Sequence, residues 1–128
     1  MQIGLEGRCE QLVTPSLSAR ALGSGAVDVY ATPAMIALME QTAAQSVAPH
    51  LEEGFCTVGT ALNVSHEAAT PMGMKVWCNS VLLEISGRKL TFRVEAFDEK
   101  GRIGAGTHER FIVRQQSFEA RARAKLED

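Results

Sequence analysis

One acidic residue lies inside an otherwise apolar stretch of the chain. Residues 33–48 read PAMIALMEQTAAQSVA, and Glu40 is their only charged side chain. A carboxylate in apolar surroundings costs several kcal/mol unless it is paired, hydrogen-bonded or protonated. Such carboxylates occur at functional sites, where they move protons, and also in structural ion pairs. The sequence therefore leaves both roles open for Glu40.

A histidine and a threonine are the other candidates for chemistry. His66 ends a strand-like run, and alternation with Val58, Leu62 and Val64 as the inward set predicts that His66 faces inward at a pocket rim. A structural, hydrogen-bonded histidine fits the same pattern. Thr32 precedes Pro33, and capping of a helix by Thr32, with Pro33 in the first turn, is enough to explain both residues.

Residues 33–48 are predicted to form one long helix, which Pro49 ends. Its apolar side chains spread around the whole circumference, which predicts a helix buried on all sides, Glu40 included. Residues 14–29, ahead of it, are rich in Ser, Gly and Ala and are predicted to form a loop with little order of its own.

Strand-like runs occupy residues 55–66, 75–85, 90–97 and 103–114, after a short first strand within 7–14. Short connections, most of them containing glycine, predict antiparallel hairpins. The tail, residues 117–128, reads as a solvated helix. The fold class is therefore α+β, a curled antiparallel sheet around one central helix, which is the hotdog fold, in a single domain over residues 1–128. Pairing of two open sheet edges predicts a homodimer and leaves a tetramer open.

Composition excludes several classes of protein. Lys plus Arg number 13 against 15 Asp plus Glu, so the net charge of −2 argues against nucleic-acid binding. No apolar run approaches about 18 residues and the start resembles no secretion signal, which predicts a cytoplasmic protein with no membrane association. Three scattered cysteines indicate reduced thiols, with Cys56 and Cys78 as buried apolar residues.

The remaining histidines do not predict a metal site. His50 follows the proline that ends the helix, where a cation is favourable. His108 alternates with Ile103, Ala105, Phe111 and Val113, which predicts that it faces away from the core. Since the three histidines are dispersed and have no ligand spacing, we expect no metal.

Several segments together resemble one enzyme family, the fluoroacetyl-CoA-thioesterase-like branch of the hotdog thioesterases, over about residues 27–114. The matching segments are Ala31-Thr32-Pro33, Met35-Ile36-Ala37-Leu38-Met39-Glu40, Thr57-Val58-Gly59, Val64-Ser65-His66 and Gly106-Thr107-His108-Glu109-Arg110. The resemblance implies hydrolysis of an acyl-CoA thioester without a further cofactor. It also implies that Thr32, Glu40 and His66 are catalytic and that Gly59 and Arg110 bind substrate.

The sequence differs from the resembling family in one segment that bears on substrate specificity, and it also leaves other functions open. The family's name-giving member has phenylalanines in a lid ahead of the motif, whereas residues 22–27 here have none. We therefore expect a short acyl group other than fluoroacetyl, or a general short-acyl substrate. The alternatives are a non-catalytic acyl-CoA-binding dimer, an enoyl or hydroxyacyl thioester hydratase or dehydratase, and a thioesterase that uses Asp28 as its acid.

Overall fold

Five strands and two α-helices make up the computed structural model, which describes residues 1–127. The predicted ranges for the long helix and the last four strands differ from the observed bounds by at most two residues. The elements are β1 (Glu6–Leu12), α1 (Thr32–Val47), β2 (Phe55–His66), β3 (Lys75–Ser86), β4 (Lys89–Asp98), β5 (Gly101–Arg114) and α2 (Gln115–Arg123).

The strands form one antiparallel sheet in the order β1-β3-β4-β5-β2. Two residues, Gly87 and Arg88, connect β3 to β4, and Gly87 has the positive φ of 62° that such tight turns require. Strands β1 and β2 are the two edges. Because β2 pairs only with β5, the backbone groups along its other side have no strand partner within the described chain.

Helix α1 packs one face on the concave side of the sheet. Its buried side chains are Ala34, Met35, Leu38, Met39, Thr42, Ala43 and Val47. The opposite stripe is exposed and consists of Pro33, Ala37, Gln41 and Gln45. The prediction of burial on all sides is therefore wrong for a single chain, because one sheet covers only one side of a helix. The apolar and small residues of the exposed stripe are free to contact a second protein surface.

Two β-bulges decide which side chains face α1. In β2, Gly59 pairs with Arg110 and Ala61 with Glu109, so Thr60 is an extra residue. The bulge reverses the alternation, so that Gly59 faces the helix before it while His66 faces inward after it. Val58 lies on the outer face opposite Phe111, and its predicted inward position is wrong.

The second bulge explains why His108 faces inward, contrary to the prediction. In β5, Arg102 pairs with Phe97 and Gly104 with Ala96, which leaves Ile103 without a partner. From Gly104 onward the even-numbered residues face α1. His108 is consequently fully buried, although strict alternation predicted the outer face.

The loop between β1 and α1 is held in place by backbone pairing. It contains a 3₁₀ turn at Pro15–Leu17, and bridges join Ser18 to Tyr30 and Val29 to Pro71. The loop is thus anchored at both ends beside the start of α1, more firmly than its composition predicted. Within residues 1–127, no helix has both the length and the apolar character needed to cross a membrane.

Candidate active site

Thr32 and His66 form a hydrogen-bonded pair at the start of α1. The helix begins at Thr32 with Ala31 as its N-cap, and no side chain caps it. The Thr32 hydroxyl Oγ1 instead lies 2.7 Å from Nδ1 of His66. Capping by Thr32 was the wrong prediction, because the chain enters the helix one residue earlier. The hydroxyl is therefore available for interaction with the imidazole.

The other nitrogen of His66 is buried and has no hydrogen-bond partner among residues 1–127. Burial lowers the pKa of His66 below its ordinary value, and the Ala68 backbone partly opposes this shift. A neutral imidazole can accept a proton at one nitrogen while the other is engaged. The pair of Thr32 and His66 therefore has the elements of a base beside a hydroxyl.

A cleft of about 320 Å³ opens beside this pair. The loop before α1 forms one wall, and the segment after β2 forms the other. The lining residues are mostly small: Ala19, Ser24, Gly25, Val27, Val29, Tyr30, Thr32, His66, Glu67, Ala68 and Ala69. The hydroxyl and the imidazole thus face a space that can admit a small ligand.

A second group of polar residues, which we call the Glu40–Arg110 cluster, comprises Glu40, Thr57, Gly59, His108 and Arg110. Oε2 of Glu40 lies 3.4 Å from Nη1 of Arg110, whose side chain is only 8% exposed. Arg110 also donates from Nε to the Thr57 hydroxyl at 2.8 Å and from Nη2 to the Thr57 carbonyl at 2.9 Å. Arg110 is thus a fixed, buried cation.

Glu40 is less buried than its sequence context predicted. Its side chain is 41% exposed, because it borders the open stripe of α1. Gly59 allows its carboxylate to approach the sheet: a Cβ at Gly59 would lie 2.5 Å from Oε2 of Glu40. The carboxylate therefore lies against β2, between the buried guanidinium and solvent.

His108 belongs to this cluster, although alternation along β5 wrongly predicted that it faces away from the core. Its Nδ1 lies 2.9 Å from the Ala61 carbonyl oxygen, so Nδ1 carries the proton and donates it. Nε2 then accepts from Nη1 of Arg110 at 3.1 Å. Burial lowers the pKa of His108, and although the Ala61 carbonyl opposes this, the Arg110 charge adds to it. The ring is therefore neutral.

The two groups of residues lie apart in one chain. Helix α1 is continuous from Thr32, so a non-helical first turn does not bring Thr32 and Glu40 together. Eight helical residues correspond to about 12 Å along the axis. The structure therefore pairs Thr32 with His66, joins Glu40 to Gly59 and Arg110, and does not unite these two sets within one protomer.

The remaining candidates lie outside both groups. Asp28 accepts a hydrogen bond from Arg20 at 3.1 Å on the surface, and it does not line the cleft. Cys78 is buried as predicted, whereas Cys56 is only half-buried because it lies near the open flank of β2. Within residues 1–127, no three His, Cys, Asp or Glu side chains converge in a way that could hold a metal ion.

Comparison with known proteins identifies the family. A family model described as fluoroacetyl-CoA-specific thioesterase matches residues 13–116. The fluoroacetyl-CoA thioesterase of Streptantibioticus cattleyicolor is 43% identical over 98 residues, which are 77% of this chain and 70% of that protein. The residues that the family model matches include every residue of both groups.

Solved structures agree in fold. A threonine-to-serine variant of a fluoroacetyl-CoA thioesterase in complex with acetyl-CoA has a TM-score of 0.93 at 36% identity, covering 98% of each chain. A thioesterase-superfamily protein from Thermus thermophilus has a TM-score of 0.90 at 34% identity, covering 98% of this chain and 93% of that one. The predicted hotdog fold and the predicted family are confirmed. This chain belongs to the fluoroacetyl-CoA-specific thioesterase family.

Proposed function

We propose that this chain hydrolyses short acyl-CoA thioesters at a site to which two protomers contribute. Thioester hydrolysis is the reaction of its family. The observation that carries the assignment to this site is the 2.7 Å contact between Thr32 and His66 on the wall of the cleft. The reaction needs no cofactor besides the CoA of the substrate.

The residues at the cleft account for the proton movements of hydrolysis. In a direct route, His66 takes a proton from water, and the water oxygen attacks the thioester carbonyl carbon. The C–S bond then breaks, and His66 returns the proton to the departing sulfur, giving a carboxylic acid and CoA thiol. In a covalent route, His66 takes the hydroxyl proton of Thr32 as Oγ1 attacks the carbonyl carbon, and the proton passes to the sulfur as the C–S bond breaks and CoA leaves. Water then hydrolyses the threonine ester, which gives the acid and restores the hydroxyl. The Gly59 amide and the amino end of α1 are the candidate donors to the oxyanion.

Placement of Glu40 in the same reaction calls for a second protomer. The open edge of β2 and the exposed stripe of α1 both lack a partner within the described chain, and we infer that an isologous dimer covers both. If α1 packs antiparallel to its copy about an axis near Ala37, Thr32 of one protomer comes beside Glu40 of the partner subunit. Small residues such as Ala37 allow that close approach.

The lining of the cleft supports a short acyl group without selectivity for fluorine. Residues 22–27 contribute Ser24, Gly25 and Val27, which leave the cleft open. A lid of large aromatic side chains would narrow it. We therefore propose acetyl to butyryl groups as substrates. The cytoplasmic location and a possible tetramer stay predictions.

A thiol-release assay with acetyl-, fluoroacetyl-, propionyl- and butyryl-CoA tests this function. We expect turnover of all four. One methylene in an apolar pocket is worth about 1–3 kcal/mol, or about 10–200-fold, so the kcat/KM values of acyl groups that differ by one methylene should lie within about 200-fold of each other. Turnover of fluoroacetyl-CoA alone would contradict the proposed acyl range. Tight CoA binding without any thiol release would favour the non-catalytic alternative.

The pH profile should carry the signature of His66. As a base His66 must be neutral, so kcat/KM should fall on the acid side with a midpoint below 6.5, the ordinary histidine value, because burial lowers its pKa. His66→Ala should remove this limb along with most of the activity. A residual activity that retains the same acid limb would assign the limb to another group.

A further inference from the structure

We propose that His108 is a positioning residue that fixes the guanidinium of Arg110 beside Glu40. This inference rests on the proposed function, because it assigns His108 a role in the same reaction. Neither the composition of the chain nor the alternation of β5 points to it. The contacts around Arg110 do.

All three nitrogens of the Arg110 guanidinium have hydrogen-bond acceptors. Thr57 holds Nε and Nη2 through its hydroxyl and its carbonyl. Nη1 has two acceptors, Glu40 Oε2 at 3.4 Å and His108 Nε2 at 3.1 Å. His108 therefore supplies the shorter contact at the only guanidinium nitrogen that reaches Glu40. It fixes the plane of the guanidinium and limits the rotation that would draw Nη1 away from the carboxylate.

His108 can act only as an acceptor toward Arg110, because a guanidinium has no lone pair to offer. The Ala61 carbonyl holds the proton on Nδ1, which leaves a lone pair on Nε2. The ring is fully buried and packs beside Phe92, with ring centroids 6.3 Å apart. A proton on Nε2 would face the guanidinium directly and remove the acceptor. The contact between His108 and Arg110 therefore requires a neutral imidazole.

His108 also holds the backbone of β2 at its bulge. Ala61 follows Thr60, the extra residue of the bulge in β2, and Gly59 precedes it. The Nδ1 contact with the Ala61 carbonyl therefore ties Arg110, through His108, to the strand segment that carries Gly59. The His108 side chain therefore sets the position of the buried Arg110 guanidinium relative to the Glu40 carboxylate and the Gly59 amide.

Two amide substitutions separate the positioning role from a merely structural one. In His108→Gln, the longer side chain can place its oxygen near the position of Nε2 and accept from Arg110. In His108→Asn, the shorter side chain can donate near the position of Nδ1 to Ala61 but cannot reach Arg110. If His108 positions Arg110, kcat of His108→Asn should be about tenfold below that of His108→Gln, with KM changed by less than about twofold.

The controls make each outcome decisive. His50→Gln and His50→Asn alter an exposed histidine after α1 and should leave kcat as in the wild type. A kcat of His108→Asn equal to or above that of His108→Gln would overturn the proposal. Absence of acyl-CoA turnover by the wild type would instead refute the proposed function.

A second measurement does not depend on the stability of the variants. Nitrogen-15 spectra of the wild-type histidine rings report which ring nitrogen carries the proton. Spectra of His50→Gln and His66→Ala identify the signals of those two rings and leave those of His108. We expect His108 to be neutral with its proton on Nδ1 at pH 7. A proton on Nε2, alone or together with one on Nδ1, would overturn the proposal even if both His108 variants failed to fold.

Discussion

Glu40→Gln should lower kcat for acyl-CoA hydrolysis about a hundredfold or more while leaving the fold intact. Glutamine has nearly the shape of glutamate and keeps an oxygen that can accept from Nη1 of Arg110, now 3.4 Å from the carboxylate. Arg110 would therefore keep an acceptor at Nη1, although its buried charge would lose the counter-ion that Glu40 supplies. Only the negative charge is lost, and with it the ability to orient a water or stabilise a protonated His66.

Steady-state kinetics with the best substrate of the acyl-CoA panel would measure this effect. Circular dichroism should match that of the wild type, and the melting temperature should stay well above the assay temperature even though the Glu40–Arg110 ion pair is lost. Glu84→Gln is the matched control, because Glu84 is an exposed glutamate on β3 and belongs to neither group of polar residues. A kcat for Glu40→Gln within about threefold of that of Glu84→Gln would remove the Glu40 charge from the mechanism.

The elements of this fold could be predicted because local signals agree with them. Pro33 and Pro49 bound a single apolar stretch, and Gly87 and Gly101 mark the turns between long strands. Alternation of apolar and polar residues along the strands could not show which side chains of each strand face α1. The bulges at Thr60 in β2 and Ile103 in β5 reverse the inward face partway along each strand. Neither threonine nor isoleucine is a residue type that indicates a bulge.

The candidate site was predicted in part, and for different reasons in its two halves. The spacing of the family motif identified Thr32 and His66, which the fold brings to 2.7 Å. Glu40 stood out as a charge in an apolar helix, but its burial was overestimated. An apolar surface on a helix can face the sheet of its own chain or a second chain, and hydrophobicity alone does not distinguish the two. His108 was missed because its burial depends on the bulge at Ile103.

Mixing two inactive variants should restore activity if the site spans two protomers. His66→Ala retains Glu40, and Glu40→Gln retains Thr32 and His66. In a mixed dimer, one site combines His66 from one chain with Glu40 from the other and is intact, while the second site lacks both. Random pairing of equal amounts makes half of the dimers mixed, so the activity should reach about a quarter of that of the wild type.

A third variant provides the control that makes this result specific. Thr32→Val and His66→Ala damage the same half of the site, so in their mixed dimer each site retains one defect and activity should stay low. Native mass spectrometry would confirm that subunits exchange in both mixtures. Exchange without recovery in the mixture of His66→Ala and Glu40→Gln would contradict a shared site. Glu40 would then act within its own chain and apart from Thr32, since a continuous helix places about 12 Å of rise between the two residues. Recovery in that mixture alone would show that catalysis takes place between two chains. A shared site would then explain three features together: the open stripe of α1, the open edge of β2 and the separation of Thr32 from Glu40.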